Sequence, residues 1–363
     1  RHLEGWDVSL SVSTPTGFDT ARKRLPDTTV FYAPVDLSAC VGRTFRRRRP
    51  DALVLLELEV WPNFLLAARR RGVPVLVANG RLSGGSSDRY VRTGFLGRWL
   101  FSLVDRVAAQ NEVYAGRFEA LGVEPERIEV LGNLKHDREV GVTAADADEL
   151  RGRLGWSGGE RVVVGGCTHP GEETLLLGIL SRLEGSHPDL RLVLAPRHVE
   201  RLAAEDPGSW SGQDAGGRTF TRWSEWKAGP GEPLAASVLV VDTVGELERF
   251  YSIADLTVVG GSFIPHGGHN VLEPASLSKA VLFGPHTENF ADEVALLLEA
   301  EAAILAADAE ELEKALGDLL VDGEERSRLG EKAGCAFCGL SGSIERHIQW
   351  IDRALTLPMP GTN

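Results

Sequence analysis

The sequence predicts an α/β protein made of two consecutive doubly wound units, and three observations predict it. Short β-branched or aliphatic runs alternate with helical stretches along nearly the whole chain. The alternation restarts after an Asp-rich stretch at Ala144–Glu149. Glycine-bearing or polar turns recur directly after the apolar runs, where open α/β sheets bind ligands. Strands separated by helices imply βαβ crossovers and a mostly parallel sheet. A chain of 363 residues also suits two domains better than one, at roughly 100–200 residues per domain.

In the first half, strands are expected at Val8–Ser13, Val30–Tyr32, Ala52–Leu58, Val73–Ala78, Arg106–Ala109 and Ile128–Leu131. Helices lie between them, for example at Phe64–Arg71 and Val113–Leu121. The second set of strands is Arg161–Gly165, Arg191–Ala195, Val238–Val241, Leu256–Val259 and Ala280–Phe283. The boundary is expected near residues 138–148, with domains at 1–139 and 140–342. Asp214–Gly217 and Gly229–Gly231 read as a loop inside the second domain. The first strand comes early. A doubly wound half begins strand, glycine turn, helix, with that strand central, whereas Val8–Ser13 directly follows Arg1–Gly5. The expectation is an N-terminally truncated chain whose first domain lacks its central strand, leaving strand edges unpaired.

Composition narrows the function. The chain is 43% hydrophobic and 25% charged, which excludes disorder as its main state. No apolar run reaches about 18 residues, so no bilayer span is expected. Four cysteines are too few for a disulfide scaffold. A net charge of −13 argues against nucleic acid as a partner. Residues 1–139 nevertheless carry 21 Lys and Arg against 17 Asp and Glu, including Arg46–Arg49 and Arg69–Arg71. Such runs are either solvated helix faces or a surface for an anionic partner such as phosphorylated lipid.

The densest segment runs from Gly260 to Ala275, after an expected strand and into a helix expected to open at about Asn270. Its glycines let a ligand approach the backbone, and a helix N-terminus favours an anion. Glu273 is placed to accept hydrogen bonds from two ribose hydroxyls. His266 and His269 bracket two glycines and not a helical face, and no third ligand has suitable spacing, so no metal is expected. Four more clusters follow strands: Gly165–Glu173 with Thr168, Ala195–His198 with Arg197, Asp242–Leu247, and Gly284–Phe290 with Asn289. Together they predict a nucleotide pocket. In the first domain, Glu57 and Glu59 end an apolar strand, and strand alternation would point both to one face. Asn79–Ser83, with Arg81, and Gly132–Asp137, with Lys135, place cations after strands. Cys335 and Cys338 form a lone C-x-x-C that reads as incidental packing.

These residues resemble the 3-deoxy-D-manno-octulosonic acid (Kdo) transferase family, which attaches Kdo to the lipid A precursor in Gram-negative bacteria. The strongest marks are Glu59-Val60-Trp61-Pro62-Asn63, Pro196-Arg197-His198, Gly245-Glu246-Leu247, and Val259–Ser262 with Gly267–Pro274. Val244, His136 and Cys167 depart from the family pattern, which has Met, Phe and Ser there. The resemblance implies a GT-B glycosyltransferase fold of two facing Rossmann-like domains, with residues 343–363 carrying a helix that crosses back to the first. It implies metal-independent, inverting transfer from CMP-Kdo to lipid A precursor in lipopolysaccharide biosynthesis, with no cofactor. The expected location is peripheral, on an anionic membrane surface at the cytoplasmic face of the inner membrane. Arg197, His198, Thr168, Gly245, Glu246, Gly267, Gly268, Asn270, Glu273 and Asn289 would serve the donor. Trp61, Asn63, Arg81 and Lys135 would serve the acceptor. Glu59 would support catalysis, because the family's general base, a Glu in a Gly-rich loop after the first strand, matches no residue from Arg1 onward. The alternatives are a nucleotide-sugar epimerase of the same fold and a non-catalytic nucleotide-sugar-binding fragment.

Overall fold

A computed structural model describes residues 5–82, 84–137, 141–156, 158–204, 212–213, 219–229 and 232–356. Asp214–Gly217, the end of the Gly229–Gly231 stretch and Ser83 of the Asn79–Ser83 turn lie outside the described residues. The chain divides into two compact units. One holds the residues up to Asp137 together with those from Gly342 onward, and the other holds the residues between.

The second unit is built on one eight-stranded sheet. Its strands are β7 (Arg161–Thr168), β8 (Leu190–Pro196), β9 (Gly212–Gln213), β10 (Thr219–Arg222), β11 (Val238–Val240), β12 (Leu256–Val259), β13 (Ala280–Phe283) and β14 (Ala303–Leu305). The spatial order is β14-β13-β12-β7-β8-β11-β10-β9, parallel throughout except for β9 at the edge. Near-continuous apolar strands such as Val162–Val164 and Leu192–Ala195 are buried because helices cover both faces. The order reverses beside β7: the chain steps to β8 and β11 on one side, then returns to β12 on the other. That reversal opens a crevice at the carboxyl ends of β7 and β12.

In the first unit, β1 (Ser9–Val12) pairs in parallel with β2 (Thr29–Tyr32). A separate parallel sheet runs β3 (Leu53–Leu56), β4 (Val75–Gly80), β5 (Arg106–Ala109) and β6 (Ile128–Val130). Among the described residues β3 pairs only with β4, and its Val54 and Leu56 are exposed. One face of the larger sheet packs Val75, Val77 and Val107 into a core with Leu65, Phe101 and Phe118. The other face receives Trp350 and Ala354 of the helix Ser343–Thr356, which lie on Leu76, Ala78, Ala108 and Leu131. The strand period of two therefore serves both faces, and the last helix completes the first unit's core.

Several expectations need correction. The strand expected at Ala52–Leu58 stops at Leu56, because Glu57 takes a left-handed backbone (φ 59). Glu57 and Glu59 thus leave the strand, and alternation no longer places them on one face. The helix expected from Asn270 is a short one, Leu272–Ser276. Three strands, β9, β10 and β14, have no counterpart in the sequence reading, being short or set among polar residues.

Candidate ligand site at the strand ends

Two backbone features bring β7 and β12 together at the crevice. Cys167 adopts φ 54, and the β7–β8 register shifts between Gly166 and Thr168, an irregularity that bends the strand at its end. Gly260 lies so close that a Cβ would sit 2.5 Å from the Cys167 carbonyl oxygen and 2.7 Å from the Thr168 Cα. Only glycine permits that approach.

A buried carboxylate clamps the two ends. Glu172, in the first turn of the helix Glu172–Leu183, is 2% exposed. Its Oε2 accepts the backbone N–H of His169 at 3.0 Å and of Gly261 at 2.8 Å. Its Oε1 accepts those of Ser262 at 3.1 Å and Phe263 at 3.0 Å. Four charge-assisted hydrogen bonds hold the glycine turn to the end of β7. The neighbouring Glu173 accepts the Thr168 hydroxyl at 2.7 Å and pairs with Arg201. Burial raises its carboxyl above the usual range, against the pull of Thr168 and Arg201.

The clamp also assembles a cluster of imidazoles. His169 is buried, and its Nε2 lies 2.8 Å from Nε2 of His269, with the two rings stacked at 5.1 Å. The His266 ring centroid is 4.2 Å from that of His169 and 5.3 Å from that of His269. Gly261 (φ 68) makes room for them, since a Cβ there would meet both His269 and His266. Burial, then the neighbouring His169 and His266, push His269 down to about 4. Burial and His266 lower His169 as well. The sequence reading found no third ligand for His266 and His269. The third imidazole comes from His169, 100 residues from its partner His269.

The expected donor residues fall into two groups. Arg197 and Gly245 stand exposed at the ends of β8 and of the loop after β11, and Gly245 takes φ 89. Arg197 is fixed through its backbone, whose N–H donates to the Thr168 carbonyl at 2.9 Å. Beside Gly245, the buried Thr243 hydroxyl has no partner among the described residues. His198 holds Glu200 at 3.0 Å. The remaining residues are engaged in shaping the turn. The Gly268 N–H donates to Gly261, so it is not open to an anion. Gly267 packs against Asn289, whose backbone N–H donates to the Gly267 carbonyl and whose amide donates to that of His266, both at 2.9 Å. Asn270 accepts the Leu272 N–H at 3.1 Å and lies 3.5 Å from Glu273. Thr168 is committed to Glu173. Glu246 binds Lys227 at 2.7 Å. Burial opposes its ionisation, but the hydrogen bond from Lys227 and the charges of Lys227 and Arg249 outweigh it and lower its pKa.

In the first unit the expected residues are held more loosely. The Trp61 indole donates to Glu59 at 2.7 Å, with Trp61 51% exposed. Lys135 pairs with Glu57 at 3.0 Å in solvent. Arg81 is exposed. Asn63 uses its amide locally, donating to Asp36 and accepting from Ser38. Asn79 (φ 55) received no role in the sequence reading beyond opening a turn. Its backbone N–H donates to His347 Nε2 at 3.1 Å, and its Oδ1 accepts the Leu134 N–H at 3.0 Å. Glu172 was likewise read only as part of a polar turn. A glutamate three residues after a His that follows a strand is the available signal, since that spacing returns a carboxylate to a backbone N–H.

Comparison with known proteins adds a family and a fold. Residues 1–138 match the family model described as 3-deoxy-D-manno-octulosonic-acid transferase (kdotransferase). A 3-deoxy-D-manno-octulosonic acid transferase of Haemophilus influenzae is 30% identical over 348 residues, covering 93% of this chain and 78% of that protein. The Bordetella pertussis protein of the same name is 33% identical, covering 88% of this chain and 73% of its own length. Among solved structures, Anabaena HepE in complex with UDP is similar with a TM-score of 0.60 at 14% identity, covering 96% of this chain and 91% of its own.

Proposed function

The chain belongs to the Kdo transferase family, enzymes that are glycosyltransferases of the GT-B fold, and from that premise we propose that it moves Kdo from CMP-Kdo to the lipid A precursor. The observation that supports this most is the reach of the likeness: the Haemophilus relative covers 93% of the chain and so runs through both units.

The chemistry of the donor agrees with the crevice. CMP-Kdo carries a single phosphate and its own carboxylate, so no diphosphate needs a divalent counter-ion. We assign Arg197 to the departing phosphate, where an exposed guanidinium at a strand end can offer paired hydrogen bonds. The backbone at Gly245, with the Thr243 hydroxyl that has no partner among the described residues, is assigned to the nucleotide. Glu273, half-buried beside Asn270, is assigned to the ribose hydroxyls. The acceptor hydroxyl must lose a proton as the anomeric centre becomes oxocarbenium-like, a task for a carboxylate. Inverting transfer then forms the new glycosidic bond on the face opposite the departing CMP. Glu59, held by the Trp61 indole, is assigned to orienting the acceptor.

Among the described residues no helix is long and apolar enough to cross a membrane. We assign the acceptor's membrane to the exposed Arg46, Arg47, Arg69 and Arg70, whose charges suit an anionic lipid surface at the cytoplasmic face of the inner membrane.

The deciding experiment incubates the protein with CMP-Kdo, with and without lipid A precursor, in EDTA. Release of CMP that requires the lipid supports transfer. CMP-Kdo consumed equally without lipid would favour an isomerase, and failure to bind CMP in EDTA would overturn the metal-free donor assignment.

A further inference from the structure

We infer that His169, His266 and His269 form a three-imidazole site for one borderline divalent cation of the zinc class. The inference rests on the second unit alone and is independent of the transfer reaction proposed above.

The three ligand nitrogens lie within 4.8 Å of one another. They come from two chain segments, the end of β7 and the turn after β12, and those segments are already fixed to each other. Glu172 accepts N–H groups from both His169 and Gly261, so the backbones carrying the imidazoles are positioned before any cation arrives. Gly261 leaves the space the His266 and His269 rings occupy.

The donor set determines the class of cation. Three imidazoles suit zinc, cobalt(II) or nickel and do not suit magnesium or calcium, which require oxygen ligands. The two carboxylates that follow β7 are committed elsewhere, Glu172 to four backbone N–H groups and Glu173 to Thr168 and Arg201. Zinc–nitrogen bonds of about 2.0–2.1 Å in a tetrahedron put the nitrogens about 3.3 Å apart. The His169–His269 pair, now 2.8 Å apart, must open by about half an ångström, and separations of up to 4.8 Å must close by up to about 1.5 Å, both by turning side chains on a backbone already fixed. Three protein ligands leave a fourth position open, as in zinc sites that bind an exchangeable ligand. His266 is exposed, so a cation can enter from its side.

The test uses the whole chain, stripped with EDTA and dialysed, titrated with cobalt(II) and followed by visible absorption, then with zinc by calorimetry. One cobalt(II) ion per chain with the spectrum of a tetrahedral site is expected, displaced by zinc and unaffected by excess magnesium. His266→Ala, at an exposed position, should keep the native unfolding transition and weaken binding at least about tenfold, and His269→Gln should weaken binding likewise. His286→Ala, outside the cluster, should bind as the parent does. Absence of the tetrahedral spectrum, or parental affinity retained in the His266 and His269 variants, would overturn the site.

Discussion

The two strand ends that carry candidate residues are alike in backbone and opposite in how they hold their charges. In each unit a non-glycine residue takes a left-handed conformation where a register shifts, Cys167 at the end of β7 and Asn79 near the end of β4. In the second unit the polar groups around that point are buried: Glu172 and Glu173 are 2% and 3% exposed. In the first unit Asn79 is itself buried, but the charge pair at that edge stands in water, with the side chains of Lys135 and Glu57 64% and 44% exposed. A buried charge is expensive to leave unpaired, so it rigidly specifies the geometry around it. An exposed pair contributes little and can rearrange. One edge is therefore preorganised, and the other remains adaptable.

The sharpest way to break this contrast is Glu172→Ala. Four backbone N–H groups would lose their acceptor, and a loss of about 3–5 kcal/mol from the second unit is expected in urea unfolding. A loss below about 1 kcal/mol would mean the turn is held by other contacts.

Trp350→Ala probes the core on which the first edge is mounted. Trp350 is 1% exposed among Leu76, Ala78, Ala108 and Leu131, and a cost of about 3 kcal/mol is expected for the first unit. If only the second unit's transition moved, the helix Ser343–Thr356 would not belong to the first unit's core.

Acid should weaken both units, by different residues. His269 is held near 4 when folded, against 6.5 ordinarily, so between those pH values the unfolded chain binds a proton that the folded chain refuses. Its contribution is complete above about pH 6.5 and declines as pH falls toward 4. His347, lowered by burial, acts in the same direction in the first unit. Replacing His269 with Gln should flatten the decline in the second unit alone. An unchanged pH profile would exclude His269 as its source.

Lys135→Met should change stability least, by under about 1 kcal/mol, because both members of the pair are exposed. A larger loss, measured by the same urea titration, would show that the first edge is not adaptable.

Much of the fold was legible because it depends on local pattern. The apolar runs at Arg106–Ala109, Leu256–Val259 and Ala280–Phe283 are strands with the expected bounds, since length, β-branching and flanking turns are properties of neighbours in sequence. Glu57 was misplaced because a single left-handed residue ends a strand without changing its hydrophobicity. β10 and β14 were missed because their pairing partners, not their composition, make them strands.

The site divides in the same way. The sequence alone determined the α/β class, the parallel connections and the gathering of polar turns after the strands, because each follows from residue types a few positions apart. Tertiary structure decided what those turns do. It placed Glu172 on N–H groups 89–91 residues away and His169 beside His269, and it turned the Gly268 amide inward to Gly261. Those contacts depend on which strands become neighbours at the β7–β12 reversal, and no local periodicity encodes that choice.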